Sequence, residues 1–157
     1  MEARFALYEN EIADKFVKRF NAASRVLEDS SLPRATQELV KIRASQINGC
    51  GVCLDMHAKD AAYAGETPLR LTMVAAWREA TVFTEAERAA LAFAEEGTRL
   101  ADLHVGVTDE TWELVRKHYD DDQIAALIVV VAMINSWNRL NVIARVPAGG
   151  YEPGQWS

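Results

Sequence analysis

Apolar residues recur along most of this chain at spacings of three and four, the repeat of a helix that buries one face. Ile12, Phe16, Phe20 and Ala23 sit at that spacing among Glu9, Asp14, Lys15 and Lys18, and predict a first helix over Tyr8 to Leu27. Ser31-Leu32-Pro33 ends it, and Pro suits the opening turn of the next. The second helix is expected from about Arg34 to Ile47, with Leu39, Ile42 and Ile47 inward, and Asn48-Gly49 closes it. A third follows from about Cys50 to Tyr63, with Gly65 as its stop. A short helix is expected over Pro68 to Trp77. Thr84 and Glu87 have the spacing of a capping box and open a helix with Ala86, Ala90, Phe93, Ala94, Leu100 and Ala101 along one side. Thr108-Asp109-Glu110 opens another, ending near His118-Tyr119. Asp120 to Gln123 supplies acceptors for a helix start, and that last helix is expected to reach Asn141, buried on most sides. Its Ile128 to Val131 stretch is β-branched, but the cap and the total length favour a helix over a strand. Strand signals are otherwise scarce. The pattern predicts an all-α fold, one domain over residues 1–146 with 147–157 as a tail.

Length and charge narrow the function classes. The chain's 157 residues suit a single domain. The net charge of −6 argues against a nucleic-acid partner, which needs a basic face for phosphates. It also argues against docking on an anionic membrane. The first residues lack the basic stretch and apolar core of a signal peptide. The longest apolar run, Ile124 to Ile134, is far shorter than the ~20 residues of a membrane helix. A cytoplasmic location is therefore expected. Two cysteines cannot form a disulfide scaffold, and in a reducing compartment a Cys-x-x-Cys pair points to redox chemistry or metal binding.

Those cysteines define the chemical candidates. Cys50 stands at a helix start, where unpaired N–H groups and the dipole favour a thiolate. Cys53 lies one turn on, and His57 four residues further, all on one helical face. A histidine there can carry the proton of a thiol. Glu38 precedes Cys50 by twelve residues. If the two helices run antiparallel, Glu38 lies roughly 15 Å back from the turn and His57 roughly 9 Å forward, about one turn apart in level. Side-chain reach and tilt can close that gap, and Glu38 would then orient His57. Two other readings stay open on residue types alone. The cysteines can be small buried hydrophobes. They can also bind zinc together with His57 and a fourth ligand from His104 or His118, in a structural or interaction protein, although a second paired ligand motif is missing.

With Glu38, Cys50-Gly-Val-Cys53 and His57 in place, the chain resembles the carboxymuconolactone decarboxylase-like superfamily, in its alkylhydroperoxidase D-like branch. Ile42 to Gly49, Ala76 to Glu79, Glu85 to Arg88 and Ile134 to Arg139 are similar to that branch too, so the resemblance spans roughly residues 5–145. It implies a helical fold of about six to eight helices, assembled as a trimer or hexamer. It implies an antioxidant thiol peroxidase or disulfide reductase without metal or organic cofactor, acting on hydroperoxides with a lipoyl or thioredoxin-like dithiol as reductant. By position Cys53 resembles the peroxidatic cysteine, Cys50 the resolving one, and His57 with Glu38 the proton relay. Helix-end electrostatics alone would instead favour Cys50 as the more acidic thiol. One departure stands out: Val52 occupies a position where the best-known peroxidase of the family has histidine. A redox sensor using the same disulfide without turnover is a further alternative. Trp137, Asn138 and Arg139 are candidates for the pocket or a subunit interface, with core and surface as the simpler roles; Gln46 and Asn48 either line the site or bond the helix end.

Overall fold

A computed structural model describes residues 2–102 and 106–155. Among these it contains seven α-helices and no strand: α1 (Glu11–Ser24), α2 (Arg34–Asn48), α3 (Gly51–Tyr63), α4 (Pro68–Met73), α5 (Glu85–Thr98), α6 (Asp109–His118) and α7 (Asp121–Ala144). The starts follow from local chemistry. The Asn10 side chain accepts from the N–H groups of Ile12 and Ala13, and Thr84 and Asp120 each form a capping box, with Glu87 and Gln123. The expected stop of α2 is present as well. Gly49 takes the left-handed conformation, φ 66°, and its N–H bonds back to the last turn.

Helix α2 is the centre of the molecule, packed against α3, α5 and α7. One side of it, through Val40, meets Ala90, Phe93 and Ala94 of α5, Val115 of α6 and Leu127 and Val130 of α7. Another side, through Leu39 and Ile42, meets Ala61 of α3, Val74, Trp77 and Leu91. Its last turns close a small third cluster in which Ala44 packs with Cys50, Val52, Cys53 and Ile134. Gly97 lets α5 approach α7 closely, because a Cβ there would lie 3.0 Å from the Val131 side chain. The one acid buried in α5, Glu95, is matched by Arg43, Arg78 and the indole N–H of Trp77. Trp77 is thus a core residue with a satisfied donor, covered by the Arg78 and Arg88 guanidinium groups.

Four expectations need correction in detail. Helix α5 ends at Thr98, so Leu100 and Ala101, expected along its apolar side, lie beyond it and are exposed. The helix expected over Tyr8 to Leu27 is a 3₁₀ turn at Leu7–Glu9, then α1, then a second 3₁₀ turn at Arg25–Leu27. Its expected inner stripe points mostly outward: Ile12 is 79 % exposed, and Ala13, Val17, Phe20 and Ser24 form the half-buried stripe instead. Periodicity finds an apolar stripe but not its rotation, and here the rotation is set by contacts to α7. The Arg4 N–H bonds the Ala144 carbonyl, Tyr8 bonds Asn141, and Phe20 packs on Trp137 with ring centroids 5.1 Å apart. Next, Pro68 to Trp77 is α-helical only to Met73 and continues as a 3₁₀ turn over Val74–Ala76. Finally, α7 runs three residues past Asn141 and is buried along one side rather than most, with Ile128 and Ile143 exposed. In length and mean hydropathy, 1.5, α7 would suffice to cross a membrane, and half of its most apolar window is buried inside the fold.

Chemical denaturation of the reduced protein should separate two kinds of constraint. Leu127→Ala, at a fully buried position, is expected to cost about 2–5 kcal/mol by opening a cavity. Gly49→Ala should cost about 1–2 kcal/mol through the left-handed backbone alone. A larger loss for Gly49→Ala than for Leu127→Ala would contradict this account.

Candidate active site

The turn between α2 and α3 brings both cysteines to the start of α3. Gly49 reverses the chain, and Cys50 follows as the N-cap, extended at φ −83° and ψ 96°. Cys53 lies in the first turn of α3, and the two are joined as a disulfide with Cα atoms 5.4 Å apart. Both are almost fully buried, at 1 % and 2 % exposure. The i, i+3 spacing read from the sequence thus brings the two sulfurs together.

Glu38 and His57 also meet, across the α2–α3 interface. The carboxylate Oε2 lies 2.8 Å from His57 Nδ1, and Oε1 accepts from Lys41 Nζ, also at 2.8 Å. The gap of about one turn expected from helix rise is closed in the folded chain. Both residues are buried. Burial pushes the Glu38 carboxyl upward, but the hydrogen bond and charge of His57, and then Lys41, outweigh it and hold the pKa at about 2. Glu38 is therefore an anion at neutral pH, engaged at both oxygens. An anion so placed favours a proton on the facing His57 nitrogen.

A second polar system reaches the sulfurs from α7. Asn135, Asn138 and Asn141 are spaced by three and share one buried side of that helix. Asn141 Nδ2 donates to Cys53 Sγ at 3.5 Å, and its Oδ1 accepts from the Tyr8 hydroxyl at 2.5 Å. Asn138 donates to Ser45 and accepts from Asn48, which also donates to Asn135; Asn135 in turn donates to Thr98. These amides tie α7 to α2 and α5 around the small cluster that holds the cysteines. Sequence reasoning singled out Asn138 and Asn48 but missed Tyr8, Asn135 and Asn141. The available signal was three asparagines at spacing three inside an otherwise apolar helix. Of the flanking candidates, Trp137 is half-buried under Phe20, Arg139 is exposed against the Asn135 carbonyl, and Gln46 accepts from Arg43.

The segment after α7 folds back over α3. Val146 packs on the cysteine cluster, and a Cβ on Gly51 would lie 3.2 Å from that of Ala148. Asp55 accepts from the N–H groups of Gly149 and Tyr151, and buried Tyr151 donates to Asp60. Of the proposed fourth zinc ligands, His118 ends α6 and is half-buried, and His104 lies outside the described residues. No group of three or more His, Cys, Asp and Glu side chains among the described residues is arranged to hold a metal ion.

Comparison with known proteins agrees with this architecture. The chain is 39 % identical over 142 residues to the uncharacterized protein YdfG of Bacillus subtilis, covering 90 % of this chain and 94 % of that one. The fold matches a protein of unknown function from Agrobacterium tumefaciens, described as a candidate antioxidant defence protein AhpD. The two share a TM-score of 0.88 and 31 % identity over 96 % of this chain and all of the other. It also matches an uncharacterized peroxidase-related protein from Silicibacter, with TM-score 0.78 and 23 % identity over 97 % of this chain and 78 % of that one. Residues 13–96, carrying Glu38, both cysteines and His57, match the carboxymuconolactone decarboxylase family. The chain belongs to that family, in its alkylhydroperoxidase D-like branch.

Proposed function

We propose that this protein is a thiol-dependent peroxidase, reducing hydrogen peroxide or organic hydroperoxides through a Cys50–Cys53 redox disulfide. The observation that carries the reading is the buried His57–Glu38 pair set on the face of α3 that holds a cysteine pair at disulfide distance. In the reduced form Cys53 gives its proton to His57, which Glu38 orients through Nδ1. The Cys53 thiolate attacks one peroxide oxygen and breaks the O–O bond. The sulfur becomes a sulfenic acid, and the departing oxygen takes a proton from His57 and leaves as water or an alcohol. The Cys50 thiol then condenses with the sulfenic acid, releasing water and closing the disulfide. An external dithiol, lipoyl or thioredoxin-like, reduces that disulfide by exchange and leaves as its own disulfide. The cycle calls on no metal or organic cofactor. The peroxidase-related and antioxidant-defence descriptions of two structural neighbours support the same class of chemistry. A cytoplasmic setting suits a dithiol cycle, and the exposed Ile12, Phe16 and Ile143 suit self-association into a trimer or hexamer.

Roles are tested by single-turnover peroxide reduction followed with a sulfenic-acid trap. Cys50→Ser should still consume one peroxide and accumulate the trapped sulfenic acid. Cys53→Ser should form none. The reverse result would exchange the two assignments. Steady turnover with hydrogen peroxide and a range of dithiols separates the peroxidase from a sensor, which would stop after one equivalent. His57→Ala should slow the first step by about 10²–10⁴-fold, the range of general acid–base assistance.

The Glu38 carboxyl also makes a pH prediction. Its pKa falls from 4.5 to about 2 on folding, so the folded state binds fewer protons than the unfolded one between those values. The resulting stability is fully present above about pH 5 and is lost as pH falls through the folded pKa, roughly 3 kcal/mol in all. Acid denaturation of Glu38→Gln should therefore show a flatter limb between about pH 4.5 and 2 than the unsubstituted protein. Parallel curves would place the buried pair's stabilisation elsewhere.

A further inference from the structure

The helix-start argument favours Cys50 as the acidic thiol, whereas the proposed cycle assigns attack to Cys53. The structure holds an asymmetry that bears on this. Asn141 Nδ2 donates to Cys53 Sγ at 3.5 Å, while among the described residues no side-chain donor reaches Cys50. We propose that Asn141 is a catalytic residue whose side-chain amide stabilises the Cys53 thiolate, and that Tyr8 is the positioning residue that holds this amide in its donating orientation. The assignment rests on Cys53 being the attacking sulfur.

A side-chain amide has one accepting and one donating end, and its partners decide which faces where. The Tyr8 hydroxyl, 2.5 Å from Asn141 Oδ1, donates to it and so turns Nδ2 toward the sulfur. Burial holds the Tyr8 phenol above its ordinary pKa, only partly opposed by its bond to Asn141, so Tyr8 keeps its proton at neutral pH. A thiolate only accepts, so the chain Tyr8 O–H to Asn141, Asn141 N–H to sulfur is satisfied throughout when Cys53 is ionised. A neutral thiol sulfur is a much weaker acceptor than a thiolate, so the same N–H favours the ionised form. Asn141 is itself buried and cannot turn to solvent. A donor held against a buried ion is worth more than one in water.

The titratable groups around Cys53 are few. Cys50, Asp55 and His57 come from α3, with Asp55 paired to Lys59. Glu38 and its partner Lys41 come from α2, and Tyr8 from the segment before α1. Helix α7 faces the site with the neutral Asn138 and Asn141, since Arg139 and Arg145 are exposed.

The test uses the full chain carrying Cys50→Ser, which leaves Cys53 as its lone thiol. The Cys53 pKa is read from the pH dependence of iodoacetamide alkylation and from thiolate ultraviolet absorbance. Asn141→Leu is expected to raise it by about one to two pH units, the size of a hydrogen bond to a charged group. Asn141→Asp should raise it further, because a carboxylate of similar size only accepts. Tyr8→Phe, which removes only the hydroxyl that orients the amide, should raise it by less. Far-ultraviolet circular dichroism checks that each variant folds; if Asn141→Leu does not, Asn141→Asp and Tyr8→Phe together still decide. An unchanged Cys53 pKa in the folded variants overturns the proposal, and a shift confined to the Asn141 variants removes Tyr8 from it. Alkylation needs no peroxide. A shifted pKa in a protein inert to peroxide therefore defeats the peroxidase reading alone, and peroxide turnover with an unmoved pKa defeats this assignment alone.

Discussion

A carboxylate taken out of water must find a charge or several donors, or it forces its element back toward solvent. Glu38 sits on the central helix of the molecule and meets that demand with His57 from α3 and Lys41 from its own next turn. The pairing fixes how α3 lies against α2. Because Cys50 and Cys53 share the first turn of α3 with the Gly49 reversal immediately before them, fixing α3 also fixes the sulfurs. Breaking the pair would leave the buried Glu38 anion with Lys41 alone, or the buried His57 imidazole without its partner, and each is costly where water is absent. Local stability and redox geometry therefore depend on the same contact.

Helix α7 solves a related problem by other means. Its first half is aliphatic and fills the main core through Leu127, Val130 and Val131. Its second half passes the cysteines, and there the inward residues become Asn135, Asn138 and Asn141. Amides supply donors and acceptors without a charge to desolvate. They bond to Thr98, Asn48, Ser45, Tyr8 and Cys53, and no described buried side-chain nitrogen or oxygen is left without a partner. A fully satisfied network of this kind holds one arrangement in preference to looser ones. The site thus has the Glu38–His57 pair at its α2–α3 interface and neutral amides on its α7 side.

What was readable in the sequence follows from the range of each contact. Helix starts were legible because caps act over three residues, as at Thr84 and Asp120. The cysteine pair and His57 were legible because helical spacing alone places them on one face. Glu38 required one added assumption, an antiparallel turn at Asn48–Gly49, and the left-handed Gly49 supplies it. Tyr8 and Asn141 were not legible, since they are 133 residues apart and no local rule pairs them. The same applies to the rotation of α1, where two interleaved stripes were available and contacts with α7 selected the less apolar one. The stretch after Val146 shows glycine and proline in its composition, which speak of turns. Its docking depends on Asp55 and Asp60, nearly a hundred positions earlier.

The two cysteines are separated by only three positions, whereas the contacts that enclose them join residues 88 to 133 apart. Cross-linking such a short loop removes little freedom from the unfolded chain, roughly 2 kcal/mol, against nearly 5 for a loop of about one hundred residues. Opening and closing this bond therefore changes the balance between folded and unfolded chain far less than a long-range bridge would. A protein that must pass repeatedly between dithiol and disulfide can keep nearly the same folding equilibrium in both. The distant contacts at Asp55 and Tyr8 do not involve the cross-link itself, so under the proposed cycle they set how stable the enclosure is while the local bond turns over.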